Sequence, residues 1–152
     1  MLRRMTADEH RRLGIELYNG TWELLEAGAD PDEIVDAAHA SAHHWSHAAG
    51  ATVANRARSH WLCSHVYAVL GRAEPALHHA GRCLALVESA PGEMADFDLP
   101  GAYEALARAH AAAGDRFEAA RYVELARAAI ATIDDAEDRE HLESQLASIP
   151  VG

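Results

Sequence analysis

The chain has 152 residues, 49% of them hydrophobic and 24% charged, which predicts one folded domain over residues 1–152 rather than intrinsic disorder. Its formal net charge of −11 at pH 7 argues against nucleic acid as a direct partner, because phosphate backbones would be repelled. All 13 basic residues are arginine, so the absence of lysine excludes Schiff-base chemistry and the phosphate-binding lysine of a P-loop.

The composition and the helix-breaking residues predict an all-α fold. Alanine, the strongest helix former, accounts for 34 residues, and no window alternates between apolar and polar residues as a half-buried strand does. Prolines and glycines separate stretches of helical spacing. In chain order, the predicted helices are one that ends at Gly28, one from Pro31 to about His47 with Asp30 as its N-cap, and others at about Val53–Leu70, Glu74–Glu88, Gly101–Ala113, Arg116–Ile133 and Ala136–Ser148.

Three glycines mark an internal repeat. Gly28, Gly71 and Gly114 are spaced 43 residues apart, and each lies in a short turn between two helices. Glycine supplies the left-handed backbone conformation that a tight helix–helix turn requires. Because one helical hairpin cannot bury its apolar face alone, the repeat predicts a stack of about three hairpins with a C-terminal capping helix. The predicted hairpins cover about 6–48, 53–88 and 101–133, and the cap covers 136–148.

The second and third hairpins resemble the tetratricopeptide (TPR) family of helical repeats. In the second hairpin, the consensus positions of the family are occupied by Tyr67, Gly71, Ala76 and Cys83. In the third, the run AHAAAGDRFEAARY resembles the turn of the family, and the matching positions are Tyr103, Leu106, Ala107, His110, Gly114, Ala119 and Ala126. Trp61 lies one place after the expected Trp, His110 replaces a Tyr, and the period is 43 residues rather than about 34. The resemblance, which extends to bacterial TPR-like proteins, implies a right-handed superhelix.

The same resemblance implies a ligand-binding surface on the concave face, formed by the first helix of each hairpin. Carried over by position, it places six residues there in two rows: Tyr18, Trp61 and Glu104, then Trp22, His65 and Arg108. The aromatic residues would supply apolar contact, and Glu104 with Arg108 would be charged anchors. We therefore predict a non-enzymatic binding or scaffold module that accepts a peptide segment or small ligand. The alternative for each residue is an ordinary core position or a solvated surface pair.

A run of histidines on the second helix supports an alternative function. His39, His43 and His47 are spaced four residues apart and share one helix face, and Asp36 precedes them. Two histidines one turn apart can bind Zn, Cu or Fe, so the alternative is a small His-ligated metalloprotein or metalloenzyme. The run lacks the HExxH pattern of metalloproteases. Two other interpretations are open. The histidines are structural and need no cofactor, or their imidazole rings become protonated together below about pH 6.5.

The remaining features concern compartment and assembly. Cys63 and Cys83 lie in apolar helical stretches and form no CxxC motif, which favours buried free thiols over nucleophiles or a disulfide. The sequence shows no apolar stretch typical of a signal peptide and no run that could span a membrane, so we predict a cytoplasmic protein. The same pattern fits a homodimer that buries the aromatic face against its own copy. The sequence also leaves open that the chain is a fragment of a larger regulator.

Overall fold

The structure is a computed structural model that describes residues 3–150. The two residues at either end of the predicted domain lie outside the described part. Within residues 3–150, the chain folds into seven α-helices. These are α1 (Ala7–Ala27), α2 (Pro31–Ser46), α3 (Val53–Val69), α4 (Ala73–Ser89), α5 (Asp98–Ala112), α6 (Arg116–Ile130) and α7 (Ala136–Ala147). A short 3-10 turn, Pro91–Glu93, follows α4. The described residues form no strand, so the all-α prediction is confirmed. None of their helices combines the length and apolar character needed to cross a membrane.

The predicted signals at the helix ends are present in the structure. The side chain of Asp30 accepts a hydrogen bond from the backbone N–H of Asp32 and so caps the start of α2. Gly28, Gly71 and Gly114 adopt positive φ angles of 64°, 76° and 78°. Each closes the tight turn between the two helices of one hairpin, as the repeat predicted.

Two helices differ from their predicted bounds by three residues. α5 begins at Asp98 rather than Gly101, because Pro100 occupies the first helical turn, where a missing N–H breaks no hydrogen bond. α6 ends at Ile130 rather than Ile133, and the chain then turns so that Ile133 is buried in the core. The apolar spacing that predicted a longer α6 therefore reflects the burial of a turn residue.

The helices pack as three consecutive hairpins. The most extensive contacts join α1 with α2, α3 with α4 and α5 with α6, and further contacts join α2 with α3, α4 with α5 and α3 with α5. α7 packs on α5 and α6, where Leu142 and Leu146 enter the apolar cluster around Ile130 and Ile133. The helix that follows the third hairpin therefore covers one end of the core.

α3 occupies the centre of this arrangement. It contacts α2, α4 and α5, and buried residues are distributed over most of its length. Alanines such as Ala76 and Ala102, both 0% exposed, let the neighbouring helices approach closely. Larger side chains also pack around α3, where Trp61 and Cys63 lie on nearly opposite faces of the helix. These two sides carry the features described below.

Candidate functional site

A cavity of about 570 Å³ opens beside the first helices of the hairpins. Its volume lies within the range of small-molecule binding sites. Three of the six residues predicted on the concave face, Tyr18, Trp22 and Trp61, line it. The full lining comprises Tyr18, Trp22 and Glu26 of α1, Ala57, Arg58 and Trp61 of α3, Cys83 and Val87 of α4, Phe97, Asp98 and Gly101 at the start of α5, and Asp138, His141, Leu142 and Gln145 of α7.

Two tryptophans form an aromatic wall of the cavity. The ring centroids of Trp22 and Trp61 lie 5.8 Å apart. His65 stacks on Trp61 with a centroid distance of 5.2 Å and an interplanar angle of 19°, and its ring lies 4.9 Å from that of Trp22. These distances are typical of favourable aromatic pairs. Because His65 is only 9% exposed and does not line the cavity, it supports the two tryptophans rather than facing a ligand.

Glu104 and Arg108 lie beneath the cavity wall, with exposed fractions of 0% and 7%. The Glu104 carboxylate accepts hydrogen bonds from Trp61 Nε1 at 3.2 Å and from Arg108 Nε at 2.9 Å. Arg108 Nη2 donates to the carbonyl oxygen of Gln145 and to Ser148 Oγ, both at 2.8 Å. The resemblance placed Glu104 and Arg108 on the concave surface, but the structure buries both side chains. The pair fixes Trp61 and connects α3 and α5 to α7.

Burial changes the protonation of several groups at and near the cavity. It raises the pKa of Tyr18 to about 12 and that of Cys83 to about 12. It lowers the pKa of His65 to about 3, and the nearby charge of Arg108 adds to that shift. Burial also raises the pKa of Glu104, an effect that Arg108 opposes. Tyr18, Cys83 and His65 are therefore uncharged at neutral pH, which keeps the aromatic wall apolar.

A second ion pair, which the sequence analysis did not predict, borders the cavity. Arg58 donates from Nε to Asp98 Oδ1 at 2.9 Å and from Nη2 to Asp98 Oδ2 at 2.8 Å. The side chain of Asp98 is 4% exposed and also accepts a hydrogen bond from the backbone N–H of Ala95. The Arg58 guanidinium lies 5.0 Å from the ring centroid of Phe97. These contacts fix the segment before α5 against α3.

The sequence analysis missed several residues that line the cavity. Some of them could have been predicted from the sequence, and others could not. Arg58 lies three residues before Trp61, about one turn along α3, so helical spacing could have placed it near the predicted rows. Phe97 and Asp98 lie between the second and third predicted hairpins, where no pattern in the sequence marks them. Asp138 reaches the cavity because α7 packs on α5, which is decided by tertiary packing.

The three histidines predicted as metal ligands do not come together. His39 Nδ1 lies 3.9 Å from Cys63 Sγ, and His39 Nε2 lies 2.8 Å from Tyr67 Oη. His43 and His47 are exposed, and their ring centroids lie 4.9 Å apart. Within residues 3–150, no group of three metal-binding side chains combines His39 with His43 or His47. Although the three share a helix face, the structure gives His39 different neighbours from the other two.

The chain was also compared with known proteins. No family model, no curated protein and no solved structure matches it. The function proposed below therefore depends on the cavity and the residues around it.

Proposed function

We propose that the chain is a non-enzymatic binding module, built as a TPR-like right-handed stack of three hairpins with α7 as its cap. Its cavity accepts the apolar part of a small ligand or peptide segment together with an attached positive charge. The observation that carries the proposal is the aromatic cavity of about 570 Å³ beside the first helices of the hairpins. The two buried free cysteines support the cytoplasm as its compartment.

Affinity comes from the aromatic residues Tyr18, Trp22 and Trp61. Tryptophan and tyrosine contribute strongly at binding sites because each buries a large area and has few rotatable bonds. The wall is also held in place without a ligand, since Trp61 donates a hydrogen bond to Glu104 and stacks on His65. Such preorganisation lowers the entropy lost on binding.

The charges around the cavity favour a cation over an anion. Arg58 is already paired with Asp98 through two hydrogen bonds. Glu26 and Asp138 line the cavity, are exposed, and join none of the ion pairs of residues 3–150. A cation between these carboxylates and the face of Trp22 would gain both Coulombic and cation–π attraction. Arginine, lysine and organic amines are the groups with this chemistry.

The protonation states of Tyr18, His65 and Cys83, at and near the cavity, argue against their use as a catalytic acid, base or nucleophile. A general acid or base works best with a pKa near the working pH, and burial moves the pKa of Tyr18 to about 12 and that of His65 to about 3. Burial likewise keeps Cys83 as a thiol, with a pKa of about 12, and a thiol is a poor nucleophile.

Three matched peptides test the proposal. They share one aromatic residue and differ in its neighbour, which is arginine, glutamine or glutamate. We expect the arginine peptide to bind most tightly and to change the tryptophan fluorescence, and the glutamate peptide to bind about tenfold more weakly. Equal affinity for all three peptides would contradict the charge assignment. Binding of tryptamine without binding of any peptide would restrict the ligand to small amines.

Two tryptophan variants locate the binding. Trp22→Ala should weaken the arginine peptide by about 30-fold or more, because it removes half of the aromatic wall. Trp45→Phe is the matched control, since Trp45 does not line the cavity, and it should bind as the wild-type chain does. If Trp22→Ala keeps full affinity while folding normally by circular dichroism, the cavity is not the binding site.

A further inference from the structure

A second cluster of polar side chains lies across α3 from the cavity. Cys63 follows Trp61 by two residues, which places the two side chains on nearly opposite faces of the helix. His39 of α2 and His79 of α4 lie beside Cys63, so that one potential ligand atom from each of the three is within 4.8 Å of the other two. None of these three residues lines the cavity. The cluster is therefore separate from the binding site proposed above.

The donor set of the cluster suits zinc. Cysteine sulfur and histidine nitrogen are common zinc ligands, at bond lengths of about 2.3 Å and 2.0–2.1 Å. In a tetrahedral site, these lengths separate a sulfur from a nitrogen ligand by about 3.5 Å. Cys63 Sγ and His39 Nδ1 are 3.9 Å apart, so only a small movement of side chains is needed to bring both onto one ion.

Two neighbouring groups orient the histidines. Tyr67 Oη lies 2.8 Å from His39 Nε2, which leaves Nδ1 of the same ring beside Cys63. His60 Nδ1 lies 3.0 Å from His79 Nδ1, within hydrogen-bonding distance. Tyr67 also stacks on His79, with an interplanar angle of 12°. Metal-ligating histidines are typically oriented by partners of this kind, which fix the ring and its tautomer.

The burial of the cluster also fits a metal site that an ion can enter from solvent. Cys63 is 1% exposed, which shields its sulfur from oxidants, whereas His39 and His79 are half-buried and reach solvent. A buried cysteine alone needs no function, since it packs as a small apolar side chain. Imidazole rings from α2 and α4 lie beside Cys63 of α3, so three metal-binding groups are within reach of one ion.

We propose that His39, Cys63 and His79 bind one zinc ion that joins α2, α3 and α4. When zinc binds, the Cys63 thiol releases its proton to solvent and ligates the ion as a thiolate. A water molecule supplies the fourth ligand of a tetrahedral site. Because α2 belongs to the first hairpin and α3 and α4 to the second, the ion stabilises the contact between the two hairpins.

Cobalt(II) provides a spectroscopic test on the full chain after a chelator has removed bound metal. Cobalt(II) occupies zinc sites and shows a sulfur-to-metal charge-transfer band only when a thiolate binds it. We expect one cobalt ion per chain with this band, and its displacement by zinc. Cys63→Ser should abolish the band. Cys83→Ser, the matched change at the other buried cysteine, should retain it.

Further variants distinguish this site from other histidines and from a purely structural cluster. Tyr67→Phe should weaken zinc binding by about 10–100-fold without unfolding the chain. The double variant His43→Gln, His47→Gln should leave the cobalt band unchanged. Cobalt binding without a thiolate band, or binding lost only in the double variant, would overturn the proposal. Should Cys63→Ser fail to fold by circular dichroism, His79→Phe replaces it with the same expected loss.

Discussion

The two sides of α3 differ in how their polar groups are arranged. Toward the cavity, Trp61 presents an apolar ring, and the charged groups behind it, Glu104 and Arg108, are fully paired and buried. On the opposite side, Cys63 lies beside His39 of α2 and His79 of α4, and one potential ligand atom of each is within 4.8 Å of the other two. The first arrangement leaves an open surface for an apolar group from outside. The second combines a buried sulfur with two half-buried imidazole rings, and it suits an ion that holds helices together.

The largest expected effect comes from breaking the buried ion pair behind the cavity wall. Glu104→Ala leaves the Arg108 charge buried without its partner and removes the acceptor for Trp61 Nε1. Losing one member of such a pair costs about 3–5 kcal/mol, and we expect the free energy of unfolding in urea to fall by that amount. Glu124→Ala, which breaks an exposed pair with Arg127, should have a far smaller effect. Equal losses would show that Glu104 does not support the wall.

Zinc should stabilise the chain from the opposite side of α3. At 100 times its dissociation constant, a ligand that binds only the folded state raises the free energy of unfolding by about 2.7 kcal/mol. Cys63→Ser should lose this increase, and Trp22→Ala should keep it, because Trp22 is not part of the cluster. Calorimetry with and without zinc measures both variants. If Trp22→Ala also loses the increase, the two sides of α3 are not independent.

Tyr18 tests how well the cavity wall excludes water. Burial raises its pKa from 10.0 to about 12, so the unfolded chain releases this proton at a lower pH than the folded chain. The stabilisation by the neutral phenol is therefore complete below pH 10 and is lost as the pH rises toward 12. Between pH 9 and pH 11, the wild-type chain should lose about 1 kcal/mol more than Tyr18→Phe in urea denaturation. The same loss in both chains would mean that the phenol is hydrated.

The smallest expected effect is at the rim of the cavity. Glu26→Gln and Asp138→Asn should each weaken the arginine peptide by about two- to fivefold at low salt, since each removes one exposed carboxylate. The difference should shrink at high salt, where exposed charges are screened. Fluorescence titrations at two salt concentrations measure it. Glu143→Gln, an exposed change on α7 outside the cavity, is the control, and an equal loss there would indicate only a long-range effect of net charge.

Periodic features of the molecule could be predicted from the sequence. Gly28, Gly71 and Gly114 repeat because each hairpin needs the same left-handed turn, and this placed the turns correctly. The aromatic rows followed from the resemblance, since residues at one place in successive repeats lie side by side, as Trp22 and His65 do in the structure.

Features that depend on several helices could not be predicted in the same way. A Glu–Arg pair four residues apart is usually solvated, but the packing of α3 and α7 on α5 buries Glu104 and Arg108. Likewise, helical spacing relates His39 to residues of its own helix, whereas its actual neighbours, Cys63 and Tyr67, belong to α3. The cluster around Cys63 is visible only once three helices are in place.

The most direct test of the cavity as the ligand-binding site uses the three tryptophans of the chain. Each gives one indole N–H signal in the NMR spectrum of the nitrogen-15-labelled protein, and single substitutions assign the signals. Titration with the arginine peptide should move the signals of Trp22 and Trp61, which line the cavity, and leave that of Trp45 in place. Movement of the Trp45 signal alone, or binding that moves none of the three, would contradict the proposed site.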